Sequence, residues 1–227
     1  MNVLFVGGKQ ETEEMQARFG TNSPVHYLLP NESITDFSAY DLIIDARLEL
    51  DELYYPYWDI IYDYKHATNA LILLGLNFET LASLRRYLTD EDLTRFARFN
   101  SLPTFINRPI WEIAVINNDA PQLLTNRLNQ LGIDYRLVAD RIGMVMPRII
   151  CMIINEAFYT LQEGTATQED INLSMKMGVN YPHGPFEWLN ILGISNVYNM
   201  LQKLYADTGE ERYKICPLLK QRYLLAE

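Results

Sequence analysis

The segment Asn2–Val6 (NVLFV) runs straight into Gly7-Gly8, and this junction constrains the fold more than any other feature of the chain. A short, continuously apolar run that ends on glycine reads as a strand buried on both faces, followed by a tight turn. A helical stretch, Glu11–Phe19, comes next, then strands at Val25–Leu29, Tyr40–Ala46 (YDLIIDA) and Ala70–Leu74 (ALILL). Further on lie a helix at Glu79–Tyr87, a strand at Ile113–Ile116 and a helix at Pro121–Leu131. Strands that alternate with helices must cross over between parallel partners, so the expected product is a parallel, doubly wound sheet.

The first turn of such a sheet is where a dinucleotide would be read. That task asks for G-x-G-x-x-G, in which the glycines make the turn, admit the pyrophosphate and let the helix pack. Here the turn is Gly7-Gly8-Lys9-Gln10-Glu11-Thr12, with Lys9 in the second glycine position and Thr12 in the third. Glu11, Glu13 and Glu14 open the helix, and carboxylates there favour the helix N-terminus themselves while repelling a phosphate. The second strand runs into Leu29-Pro30-Asn31-Glu32 rather than ending in the acid that would hold a ribose. Gly7 and Gly8 remain the candidate cofactor-binding residues. The expectation is a sheet kept as scaffold with no cofactor, and NAD as cofactor only if the site is retained.

From Glu32 to Asp63 the chain carries nine acidic residues and a single base, Arg47, with Tyr54, Tyr55, Tyr57, Trp58 and Tyr62 interleaved. A solvated helical face whose rings pack on the sheet accounts for this stretch. Exposed Tyr and Trp as partner anchors is the alternative reading.

The character changes near Asp140. Met144–Thr160 (MVMPRIICMIINEAFYT) is apolar on all sides, which suits a core helix better than a surface one. Thr167 with Asp170 three residues on forms a variant capping box, and the helix it opens, Gln168–Met177, is expected to stop at Gly178. Helices are expected again at Phe186–Leu192 and Val197–Tyr205. Two domains follow from this change, residues 1–139 and residues 140–227, the second all-helical.

Asn155-Glu156-Ala157, Glu163-Gly164, Glu169-Asp170-Ile171, Met175-Lys176-Met177-Gly178, Tyr181-Pro182 and Gly184-Pro185-Phe186-Glu187 resemble, in order and spacing, the C-terminal domain of the 3-hydroxyacyl-CoA dehydrogenase family. The first half is similar to that family's Rossmann domain in a looser way, and is shortened between its second strand and Tyr40–Ala46. The resemblance implies NAD-dependent oxidation of a 3-hydroxyacyl-CoA hydroxyl, a role in fatty acid metabolism, and dimerisation through the helical domain. It also implies a His base oriented by a Glu, with a Ser and an Asn holding the substrate oxygen. At the matching positions stand Thr104 for the His, Val115 for the Glu, Asn77 for the Ser and Pro147 for the Asn. Threonine is no base near neutral pH, and proline in a first helical turn is sound structure without catalytic function. Catalysis of the family's reaction is therefore not expected. Glu112, close to Val115, would point to the other side of its strand. His26, His66 and His183 read as packing or surface residues.

A formal net charge of −10 argues against nucleic acid or an anionic membrane surface as the main partner. No apolar stretch reaches the roughly 18 to 20 residues that span a bilayer. No signal peptide pattern is visible, and Cys151 and Cys216 read as reduced thiols, so the expected compartment is the cytoplasm. The sequence thus suggests a binding or assembly protein of this family, forming a homodimer through its helical domain, with an acyl-CoA or a protein as the other partner. The alternatives are an active NAD-dependent 3-hydroxyacyl-CoA (3-hydroxybutyryl-CoA) dehydrogenase with an atypical site, and an acyl-CoA binder without redox chemistry. The second would draw on Lys9, Arg85, Arg86 and Arg148 gathering locally.

Overall fold

A computed structural model of the chain describes residues 1–20, 24–28, 34, 36–47, 61, 64–67, 69–116 and 121–226. The expected features at Pro30, Asn31 and Glu32, and at Tyr54, Tyr55, Tyr57, Trp58 and Tyr62, lie outside those residues. The chain divides into two compact units, Met1–Met144 and Val145–Glu227.

The first unit is built on a seven-stranded sheet: β1 (Val3–Val6), β2 (Val25–Leu28), β3 (Leu42–Asp45), β4 (Leu71–Leu74), β5 (Phe96–Phe99), β6 (Ile110–Ala114) and β7 (Asp134–Leu137). Its order is β2-β1-β3-β4-β5-β6-β7. Strands β1 to β5 are mutually parallel, β6 runs antiparallel to β5, and β7 is parallel to β6. Among the described residues this is the order of a Rossmann sheet without the strand that would flank β2, as the shortened sequence implies. Strands β1, β3, β4 and β5 are buried at every position, and β1, β3 and β4 accordingly read as apolar runs, broken only by Asp45 at the end of β3.

Helix α1 (Lys9–Phe19) follows β1, and α3 (Gln122–Gln130) precedes β7; between them lie a 3₁₀ segment, Leu81–Arg86, and the single turn α2 (Asp90–Leu93). One core fills each face of the sheet. Val3, Phe5, Met15, Ile44, Leu73, Phe99, Trp111 and Leu124 pack on one side. Leu4, Ile43, Tyr64, Ile72, Leu84 and Phe96 pack on the other. Arg98 lies on β5 between Ala97 and Phe99 of the first core, shares the parity of Phe96 in the second, and is completely buried. Its guanidinium donates to the carbonyls of Glu79 and Arg141 (2.7 Å for the latter) and lies 3.3 Å from the Asp140 carboxylate. Asp140 in turn accepts from the N–H groups of Leu81 and Ala82, both at 3.1 Å, and so starts the 3₁₀ segment.

The second unit contains α4 (Met146–Gln162), α5 (Gln168–Val179), α6 (Pro185–Leu192), α7 (Ile194–Thr208) and α8 (Pro217–Ala226). Helix α4 buries a stripe, Ile150, Cys151, Ile154, Asn155 and Phe158, and leaves Ile149 49% exposed, so its apolar character is not all core. The motif residues are structural fasteners. Asn155 donates to the Lys214 carbonyl and accepts from the Cys216 N–H, both at 2.9 Å. Glu187 accepts from the Gly184 N–H (2.9 Å) and from Lys176 (2.8 Å), while Asn172 accepts from the Phe186 N–H (2.9 Å). A Cβ on Gly184 would come within 2.6 Å of the Asn172 backbone, which explains the glycine in that turn. Helix α5 runs through Gly178 and ends instead on Asn180, which takes the left-handed conformation (φ 56°) usual for a C-terminal cap. Glycine before the end was read as the stop, whereas asparagine serves that purpose here.

Both cysteines are buried, and burial pushes the Cys151 thiol up to about 12. Since the thiolate is the reactive form, a native-state thiol titration with a disulfide reagent is expected to find no fast-reacting group and to find both after unfolding. One rapidly labelled thiol in the native protein would contradict the packing.

Candidate functional site

In a doubly wound sheet, ligands bind outside the carboxyl ends of the strands where the strand order reverses. Here that point lies between β1 and β3, flanked by Gly7-Gly8 on one side and Asp45–Arg47 on the other.

At the β1 exit Gly8 is extended, caps α1 through no side chain, and is followed by Glu11 in the first turn. The Glu11 side chain folds back over this turn: a Cβ on Gly8 would stand 2.6 Å from Glu11 Oε2. Burial raises the Glu11 pKa above its ordinary value, with the Glu14 charge adding to the rise and the backbone N–H groups of Glu11 and Gly8 opposing it. Thus a carboxylate of the chain itself lies on the helix start that a bound pyrophosphate would use. Lys9 points into solvent beside Glu13 at 3.9 Å and offers no compensating charge within the turn. These residues do not fit a dinucleotide phosphate.

At the β3 exit, Asp45 is 6% exposed and fully committed. It accepts from the Arg47 N–H (3.1 Å), the Arg47 guanidinium and the Tyr64 hydroxyl (2.9 Å). At the β4 exit, Asn77 Nδ2 donates to Ser101 Oγ (3.0 Å), and the Ser101 N–H donates back to Asn77 Oδ1 (3.1 Å). Ser101 also donates to the Gly75 carbonyl at 3.3 Å. Asn77 therefore closes a buried clasp between the β4 and β5 exits.

Thr104 lies in the β5–β6 connection, half-buried, with φ 73°, a conformation that β-branched residues rarely adopt. Its N–H donates to Glu14 Oε1 of α1 at 2.7 Å, while its hydroxyl is buried without a partner. Arg108, further along, is half-buried; burial lowers its pKa against the pull of Glu112 and Glu14. Val115 packs into the core beside Ile113 and Trp111 and is 2% exposed.

Sequence reasoning did not single out Asn100. It follows β5 directly, is 5% exposed, accepts from the Leu102 N–H at 3.2 Å, and leaves Nδ2 buried with no partner. The antiparallel register pairs Arg98 with Ala114 and Phe99 with Ile113. One step further, that register sets Glu112 opposite Asn100, on the same face of the sheet. Counting from the aromatic motif led to Thr104 and Val115. Only the strand pairing reveals this second juxtaposition.

Of the three histidines, His26 is on β2, with Nδ1 2.5 Å from the Tyr40 hydroxyl, and His66 is in the turn before β4. In the second unit His183 stands edge-on to Trp188, 4.9 Å between ring centres. None lies directly at the carboxyl end of β1, β3, β4 or β5. Pro147 is buried in the first turn of α4, where its missing N–H costs nothing. Arg148 donates to the Tyr213 hydroxyl at 3.2 Å. Among the described residues no group of His, Cys, Asp and Glu is arranged to hold a metal ion, and no helix is long and apolar enough to cross a membrane.

A predominantly parallel sheet of Rossmann order and a separate helical unit define the class of fold. The family model described as 3-hydroxyacyl-CoA dehydrogenase, C-terminal domain, matches residues 143–226. A 3-hydroxybutyryl-CoA dehydrogenase of Bradyrhizobium diazoefficiens is 34% identical over 94% of this chain and 71% of its own length. The 3-hydroxyadipyl-CoA dehydrogenase of Escherichia coli is 43% identical over 49% of this chain, a match that spans only 24% of that relative. In fold, the chain is similar over its full length to the crystal structure of (S)-3-hydroxybutyryl-CoA dehydrogenase from Ralstonia eutropha, with a TM-score of 0.78, 18% identity and 94% of that chain covered. The chain belongs to the 3-hydroxyacyl-CoA dehydrogenase family.

Proposed function

We propose that this chain is a family member that no longer runs NAD-dependent oxidation of a 3-hydroxyacyl-CoA and serves as a cytoplasmic binding or assembly protein. The observation that carries this reading is the Glu11 carboxylate lying over Gly8 at the start of α1. The lack of a histidine directly at the carboxyl ends of β1, β3, β4 and β5 points the same way. An assay of NADH formation from 3-hydroxybutyryl-CoA at high protein concentration tests it, with no turnover as the expected result.

Two further readings have support. The relatives' names favour an active dehydrogenase with an atypical site. The unpartnered Asn100 amide favours retained binding of an acyl-CoA without redox chemistry.

Assembly in this reading is a homodimer through the second unit. On α5, Leu173 is 59% and Met177 79% exposed, one turn apart on the same side, which is more apolar surface than a lone helix ordinarily leaves in water. Light scattering should give twice the chain mass, and Met177→Glu should shift the population toward monomer. A wild-type protein of single-chain mass would contradict this assignment.

A further inference from the structure

We infer that a groove of the second unit, between the α6–α7 junction and α8, receives an apolar monocarboxylate. Its head meets the Arg222 guanidinium, and its tail lies against Leu189, Ile194 and Leu225. The inference goes beyond the readings above, since the groove lies wholly within the second unit and draws on neither nucleotide nor acyl-CoA binding.

The chain turns sharply at Gly193 (φ 83°), which ends α6 and opens α7, and α8 borders the same junction. Between them is an open groove of about 460 Å³, a volume in the range of small-ligand sites. Tyr223 of α8 stacks on Tyr198 of α7, 4.0 Å between ring centres, and fixes the α8 wall. Leu189 is buried, Ile194 half-buried and Leu225 79% exposed, so the apolar lining runs from the core out to solvent. A ligand's apolar tail laid on this wall removes both surfaces from water.

Charge decides which head group fits. Arg222 is half-buried with its guanidinium over the Phe158 ring, 5.1 Å from the centroid, and among the described residues no carboxylate pairs with it. Helix α8 itself carries no acid. Glu187 of α6 is held by Lys176 at 2.8 Å. Asp207 lies about 20 Å along α7 from Ile194, and Glu156 of α4 is two residues from Phe158, on the far side of that helix. Lys220 is likewise two residues from Arg222 and on the other side of α8. In a chain of net charge −10, this cation beside an apolar groove is complemented by a carboxylate from outside, which a guanidinium can bond at two points. One guanidinium balances one charge. The phosphates of a nucleotide or of CoA would bring further charges against Leu189 and Ile194, at a desolvation cost that nothing in the groove offsets.

The test is calorimetric titration of the full chain with octanoate, hexanoate and octan-1-ol. Octanoate is expected to bind about fourfold tighter than hexanoate, for two half-buried methylenes, and about tenfold tighter than octanol, for the charge-assisted bond. Arg222→Gln should lower octanoate affinity to the level of octanol and leave octanol unmoved. Leu225→Glu changes an exposed site and sets a carboxylate one turn from Arg222. It should weaken octanoate about tenfold while circular dichroism reports an intact fold. Absence of a saturable octanoate signal in the wild-type chain, or an affinity that survives both substitutions, overturns the inference. Cosedimentation with phosphatidylglycerol vesicles without octanoate binding also overturns it and assigns the patch to a membrane surface. A fall from dimer to single-chain mass on Leu225→Glu overturns it too, and assigns the patch to a second copy.

Discussion

Arg98→Met is expected to cost about 3–5 kcal/mol of folding stability, the range seen when one member of a buried ion pair is removed. Arg98 has no exposed surface, and methionine fills much of its volume, so the loss is electrostatic rather than a cavity. Three groups lose a partner together: the carbonyls of Glu79 and Arg141, and the Asp140 carboxylate. Asp140 keeps its two backbone N–H partners, which holds the figure toward the lower end. Urea unfolding should show a lower midpoint with an unchanged slope if only stability has moved. Arg85→Ala is the control, because Arg85 pairs with Asp90 at 3.3 Å in solvent, where ion pairs contribute about 1 kcal/mol or less. Equal effects of the two substitutions would mean that the Arg98 clasp contributes little.

The second large effect is on rate. A positioned general base supplies roughly 10²–10⁴-fold in a proton-coupled step. Asn100 has a neutral amide at the β5 exit, Thr104 a hydroxyl held by its backbone to Glu14, and Val115 an alkyl group in the core. None of these takes a proton near neutral pH, so kcat with 3-hydroxybutyryl-CoA and NAD should fall at least a hundredfold below that of an active family member assayed alongside. Poor nucleotide binding should lower kcat/KM further. Turnover within tenfold of such an enzyme would establish the active-dehydrogenase reading instead.

The parts of this fold that were legible in sequence share one property: their burial is continuous or regularly periodic. Strands β1, β3 and β4 are apolar at nearly every position, and α4 repeats its apolar stripe at helical spacing. Strand β5 was missed because Arg98 interrupts Phe96-Ala97-Phe99 with a charge. Its burial depends on carbonyls contributed by residues 79 and 141, which no local pattern reveals. Strand β7 (DYRL) lies at the sheet's edge, mostly exposed, and carries no apolar signature. Strand β6 was placed three residues late, because Trp111 and Ile113 supply its core face while Ile110 is 46% exposed. Helix α8 escaped notice for a similar reason: of its residues only Leu219 is buried, so it shows no amphipathic stripe.

The candidate site was legible only in part. The displaced glycines and the acidic opening of α1 could be read directly, and the structure adds that Glu11 folds onto Gly8. The Asn77–Ser101 clasp and the register partners Asn100 and Glu112 depend on which strand ends adjoin, and this is a property of topology.

Calorimetric titration of the purified chain with NAD and with NADH tests the central claim most directly. A flat titration to millimolar nucleotide is the expected result, since the Glu11 carboxylate already lies at the helix start and Lys9 faces away from it. A saturable signal in the micromolar range would contradict the account, because it would require Glu11 to leave that turn and the nucleotide site to be intact.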